Sequence, residues 1–149
     1  LNQKTTVDYD LVMKAKSRYF KIIYDEQKGK LLKSPEFLAF VEENKSWLQP
    51  YAAFCFLRDL YGTPDFTKWD RYQTISKTEL DELTSPKAAE YDDIAIHYFI
   101  QYHLHLQMLE AATYARNNGI VLKGDIPIGI YRYSVDAWVS PELYNMDAQ

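Results

Sequence analysis

Apolar positions return at three- and four-residue steps over much of the chain, the spacing of helices that bury one face. Between Asp8 and about Gln27 the repeating set is Leu11, Val12, Ala15, Tyr19, Ile22 and Ile23. It predicts an amphipathic helix capped near Asp8 or Asp10 and ended by Gly29, with Lys14, Lys16, Arg18 and Lys21 on its solvated face. Ser34-Pro35-Glu36 reads as a second start: a capping hydroxyl, a first-turn proline and a carboxylate facing the positive end of the helix dipole. Asn44-Lys45-Ser46 interrupts that helix. Ser46 is expected to cap a third, carrying Trp47, Leu48, Tyr51, Phe54, Leu57, Leu60 and Tyr61, with Pro50 in its first turn and Gly62-Thr63-Pro64 as its stop.

Residues 65–91 lose this rhythm and read as an irregular surface insertion with helical pieces, one of them capped by Ser76 or Thr78 ahead of Glu79. Asp92 to Asn118 restores it as one helix of about 40 Å, whose first half is apolar almost all round and should be buried. Asn117-Asn118-Gly119 stops it, and a β-branched run from Ile120 to Ile130 follows, the order expected of a helix-to-strand unit in a parallel sheet. No second convincing strand is present to satisfy its backbone, so the rest of the sheet is expected in sequence outside these residues. The chain thus reads as mostly α, helices plus one or two strands. It is expected to form one partial barrel domain: 1–118 largely helical, 119–130 a barrel strand, and 131–149 a loop on the ligand-facing side.

Composition narrows the function. With 149 residues, 47% hydrophobic and 26% charged, the chain is ordinary for one globular domain. Seventeen basic against 21 acidic side chains give a net charge of -4 without a basic block, which argues against nucleic acid as a partner. No apolar stretch is long enough to span a bilayer, and the first residues lack the apolar core of a signal peptide, so no membrane partner and a cytoplasmic location are expected. The single Cys55 sits in an apolar run, where it packs as a small hydrophobe and suits a reducing compartment. The unusual figure is 15% aromatic residues with 13 tyrosines, which suits sugar stacking and core packing alike.

Candidate chemistry concentrates near the C-terminal end. His97, His103 and His105 share one predicted helix, but two- and six-residue separations point their side chains apart, so no metal site is expected. Glu42-Glu43 and Asp92-Asp93 are explained as helix-end charges. Gly119, Gly124 and Gly129 have no helix opening behind them to cradle a phosphate. Asp125 stands where an apolar strand finishes, the face that carries the chemistry of β/α barrels, and Pro127 marks the strand end. Tyr131, Arg132, Tyr133, Ser134, Asp136 and Trp138 follow, combining ring faces with hydrogen-bonding groups as a sugar pocket does. Two readings stay open on these residues: a sugar site, or Asp125 tying down backbone while Trp138 fills core.

Gly119-Ile120-Val121-Leu122-Lys123-Gly124-Asp125-Ile126-Pro127-Ile128, then Ser134-x-Asp136-x-Trp138, Pro141-x-Leu143 and Asn145-Met146-Asp147, resemble the 4-α-glucanotransferases of the amylomaltase or disproportionating-enzyme family, glycoside hydrolase family 77. Weaker echoes cover most of the chain: Val7-x-Tyr9-x-x-Val12-x-x-x-Lys16, Trp47-Leu48-x-x-Tyr51-Ala52-x-Phe54, Trp69, and the helix from Gln101 through Gln107 into Ala115. Arg132, Val135 and Asn145-Met146-Asp147 look closer to the larger, plant-cytosol-like branch than to the compact bacterial amylomaltases.

The resemblance implies a (β/α)8 barrel with helical insertions, its third strand holding Asp125 at the donor-side sugar site. Asp136 and Trp138 inherit membership of the adjoining substrate-binding loop. It implies transfer of α-1,4-glucan segments to glucose or glucan acceptors with retention of configuration, on α-1,4-glucans or maltooligosaccharides and without a cofactor. Nucleophile and general acid are expected beyond residue 149, so the chain alone is expected to be inactive and to depend on the remainder of the same polypeptide. An alternative of a different class is a helical interaction module whose apolar tail strand pairs with a partner sheet. Self-association through the same unpaired strand is a related expectation.

Overall fold

The computed structural model describes residues 6–126 and 129–146. Six α-helices occur in this order: α1 Tyr9–Leu31, α2 Pro35–Glu43, α3 Lys45–Tyr61, α4 Lys77–Leu83, α5 Tyr91–Asn117 and α6 Val135–Val139. Single 3-10 turns occupy Phe66–Lys68 and Pro141–Leu143. The chain divides into two compact units, residues 1–40 and 41–149.

In the first unit Asp8 caps α1, its carboxylate accepting from Leu11 N at 3.1 Å. The helix runs through Gly29 to Leu31 rather than stopping at the glycine. Gly29 keeps negative φ, and a glycine ends a helix most readily when it takes the left-handed conformation. Tyr24 is fully buried, with the Lys21 and Lys28 ammonium groups each 5.3 Å from its ring centre. Most of the apolar set expected to face a core is exposed, Tyr19 and Ile22 by 68% and 62%. Ser34 Oγ accepts from Phe37 N and starts α2 as expected.

The second unit is built on α3, which packs against α4, α5 and α6. Its start differs from expectation: Asn44, not Ser46, takes the cap position, and the Asn44 side chain accepts from Trp47 Nε1 at 3.0 Å. Pro50 consequently falls inside the helix and is buried. Gly62 ends α3 at φ 68°, a conformation that costs a residue without Cβ little. Leu48, Ala52, Ala53, Phe54, Cys55 and Leu57 of α3 meet a core completed by Ile94, Ala95, Tyr98 and Phe99 of α5. The second half of α5 leaves Leu104, Met108, Leu109 and Tyr114 exposed.

Two expectations are corrected here. Residues 65–91 are no mere surface insertion, because Asp65, Phe66, Trp69, Leu83 and Thr84 are buried. Ser76 does cap α4 in a reciprocal box with Glu79. The strand expected over 119–130 is absent among the described residues, which contain no strand at all; Pro127 and Ile128 lie outside them. The physical reason is the one the sequence raised: without a neighbouring strand, an extended run has no ladder to join.

Candidate functional site

Asp136 and Trp138 share α6, and positions two apart leave a helix about 200° from each other. Both directions are used: Trp138 is 2% exposed, while Asp136 faces solvent. Ser134 opens the helix, its hydroxyl accepting from Ala137 N at 3.4 Å.

Aromatic rings hold Trp138 in place. Phe54 lies 5.7 Å and Trp69 5.8 Å from it at steep interplanar angles, the edge-to-face type of arrangement that suits ring quadrupoles. Its Nε1 donates to the Tyr72 carbonyl at 2.8 Å. Tyr72 stands at φ 66°, alone among the described non-glycine residues in having positive φ. Such a conformation costs roughly 1–3 kcal/mol and persists where the surroundings impose it. The Arg71 guanidinium lies 4.4 Å from the Tyr72 ring centre.

Trp69, fully buried, donates from Nε1 to the Thr63 carbonyl at 2.9 Å and stacks on Tyr61. A path of rings runs outward from it through Phe66 and Tyr133 to Tyr131, which is 63% exposed. Asp65, next to Phe66 in the chain, accepts from Thr67 N and Oγ1 and pairs with Lys68 at 2.9 Å. Those Thr67 hydrogen bonds, then the Lys68 contact, hold its carboxyl below the usual carboxylate range. Arg132 Nη2 donates to the Met146 carbonyl, tying the beginning of the 131–146 loop to its end.

Asp125 lies apart, on a segment that is exposed from Ile120 through Ile126. The three residues expected to bind sugar therefore have different standings: Asp125 and Asp136 present carboxylates to solvent, whereas Trp138 has its ring enclosed by protein. None of the three lines a cleft of this unit of about 610 Å³, bordered by Lys45, Gln49, Lys77, Asp81 and Val139. Gln49 bridges Asp81 and Thr84 at its edge.

The histidines do not form a metal centre; no group of three ligand-type side chains able to hold a metal ion occurs among the described residues. Burial lowers the proton affinity of His97 and His103. Cys55 is buried beside Tyr51, and burial raises its thiol pKa, the opposite of what a reactive thiolate needs. No helix among the described residues is long and apolar enough to cross a membrane. Sequence reasoning missed Tyr72, since nothing about a tyrosine between Arg71 and Gln73 signals a left-handed backbone.

The glycoside hydrolase 77 family model, described as 4-alpha-glucanotransferase, matches residues 1–149. The chain is similar to the 4-alpha-glucanotransferase DPE2 of Oryza sativa subsp. japonica, 47% identical over 97% of the chain and 15% of the rice protein. It is also similar to the 4-alpha-glucanotransferases of Chlamydia muridarum, 30% identical over 100% of the chain, and Clostridium butyricum, 26% identical over 99%, each alignment covering 30% of the bacterial protein. The chain thus spans less than a third of the length of these relatives. The rice protein is both more similar to the chain than these two bacterial enzymes and longer than they are. No solved structure matches the chain.

Proposed function

Because this chain belongs to the glycoside hydrolase 77 family of 4-alpha-glucanotransferases, we propose that it is part of a catalytic (β/α)8 barrel that moves α-1,4-glucan segments onto glucose or glucan acceptors with retention. The family match over all 149 residues carries this reading. Retention calls for two carboxyl groups about 5 Å apart. One attacks the anomeric carbon, forming a glycosyl ester as the glycosidic bond breaks, while the other protonates the departing oxygen. The acceptor 4-hydroxyl then attacks the anomeric carbon, breaking its bond to the first carboxylate and giving its proton to the second.

In this proposal residues 119–130 join the barrel as a strand once neighbouring strands are supplied by the remainder of the polypeptide. Residues 1–118 contribute helices, and 131–149 the loop over the glucan. Asp125 and Asp136 supply carboxylates that accept hydrogen bonds from sugar hydroxyls, and Trp138 belongs to the same loop. The nucleophile and the acid/base lie outside these residues, and a cytoplasmic location suits the buried, unpaired Cys55.

The test is maltotriose disproportionation by the complete protein, read as the appearance of both glucose and longer oligomers. Absence of both products sinks the proposal. The purified 149-residue chain is expected to show neither, and turnover by it alone would overturn the placement of the catalytic pair.

Exposure of Val121 by 90% and Ile126 by 86% favours one further possibility, pairing of this segment with a second copy. A monodisperse monomer in light scattering would remove it.

A further inference from the structure

We propose that Trp138 is a positioning residue for Asp136, and that the left-handed backbone at Tyr72 supplies the carbonyl that holds it. The inference rests on the reading of Asp136 as a glucan-facing carboxylate and gives that carboxylate a mechanism of orientation.

Five residues make little helix. Trp138 N bonds Ser134 O at 3.1 Å and Ser140 N bonds Asp136 O at 3.0 Å, so α6 has scarcely more than one turn of its own ladder. Such a segment cannot fix its own rotation about its axis. Two buried side chains do so, Ala137 at 0% and Trp138 at 2% exposure. Ring packing against Phe54 and Trp69 is apolar and tolerates sliding, whereas the hydrogen bond from Nε1 to Tyr72 O is directional and spans 66 positions of sequence. It fixes both the depth of the indole and the roll of the helix. Because Asp136 projects about 200° from Trp138, the roll that seats the indole also sets where the carboxylate points.

The acceptor is held in turn. Gln73 Nε2 donates to Trp69 O at 2.8 Å just after Tyr72, and the Ser76–Glu79 cap fixes the chain a few residues on. Between these anchors the backbone enters positive φ at Tyr72, which aims its carbonyl at the indole. An ordinary negative φ would turn that peptide away.

The test is a double-mutant cycle in the complete enzyme, following maltotriose transfer. Asp136→Ala is expected to raise KM about tenfold, the weight of one hydrogen bond to a charged group, with kcat changed less than about threefold. Trp138→Phe keeps an aromatic ring and loses the N–H, and is expected to raise KM about fivefold, a share of the same bond. The double variant should match Asp136→Ala alone, since both act through one carboxylate. Multiplying effects, or a Trp138→Phe enzyme that loses only thermal stability, would overturn the proposal.

A second pair removes dependence on the tryptophan variant folding. Tyr72→Val and Tyr72→Gly both delete the ring, but only valine resists positive φ. Valine is expected to reproduce the KM rise and glycine to rescue it; equal behaviour of the two would overturn the backbone argument. An unchanged KM in Asp136→Ala, with the wild-type enzyme active, refutes the role of Asp136 and this proposal with it. A wild-type protein that transfers no glucan fails the proposed function instead.

Discussion

Residues 120–126 and 134–139 are near neighbours in the chain, yet one is exposed along its whole length and the other is seated among aromatic side chains. The contrast lies in where each finds its hydrogen bonds. The short helix α6 makes a few backbone bonds within its own turn, is capped by Ser134, and finds beside it a surface to sit on, which Phe54, Trp69 and the Tyr72 carbonyl provide. A strand satisfies nothing internally. Val121, Leu122 and Ile126 have the composition of a buried strand and 60–90% exposure, as the proposed function expects of a segment whose ladder other residues supply.

The most severe way to break the seated side is Trp69→Ala. The indole is fully buried, donates to Thr63 O, and touches Tyr61, Phe54, Phe66 and Trp138. Truncating a buried tryptophan costs about 3–5 kcal/mol through lost contacts and a cavity. Urea unfolding of the chain should show that loss, and a change below about 1 kcal/mol would mean the ring cluster is not what anchors α6. Ser134→Ala sharpens the comparison more gently. Removing a side-chain cap costs about 1 kcal/mol, and here it should raise amide exchange across 135–139 while leaving 120–126 unchanged.

These expectations show why the sequence disclosed one region better than the other. Ser76 with Glu79, Ser34 with Pro35, and Gly62 carry their instructions within a few neighbours, and each forms the cap or stop it spells. The run from Ile120 spells a strand just as clearly, but the instruction is conditional on partners. Asn44 displaced Ser46 as a cap because either residue type can fill the position, and the choice left Pro50 past the first turn of α3. Trp138 was ambiguous for a chemical reason: an apolar ring with one N–H suits a sugar face and a core equally. In this chain that N–H meets the carbonyl of Tyr72, 66 positions away, a partner that no local pattern announces.

A smaller effect should appear on acidification. Asp65 is next in the chain to Phe66, on the path of rings that reaches Tyr133, and its hydrogen bonds from Thr67 and its contact with Lys68 lower its pKa from the ordinary 3.8. The unfolded chain therefore takes up this proton at higher pH than the folded one. Its stabilising contribution is complete well above 3.8 and is lost as pH falls through the lower folded value. Urea transitions followed by tryptophan fluorescence should fall more between pH 6 and pH 2 in the parent than in Asp65→Asn, each referred to its own value at pH 6. Equal falls would mean the carboxylate does not support the seated loop.

The smallest expected change reaches the other side of the comparison. Leu122→Ala in this chain removes a side chain that is 60% exposed, and such surface substitutions stay within about 0.5 kcal/mol. In the complete enzyme the same substitution would delete a buried strand residue and cost about 2–5 kcal/mol. The difference between the two measurements, rather than either alone, reports whether other strands cover this segment. If the penalty is near zero in both, the segment stays exposed and the proposed strand is wrong. If it is large in the isolated chain, the chain already buries Leu122, by a second copy or a contact of its own, and dilution of the sample separates those cases because only association depends on concentration.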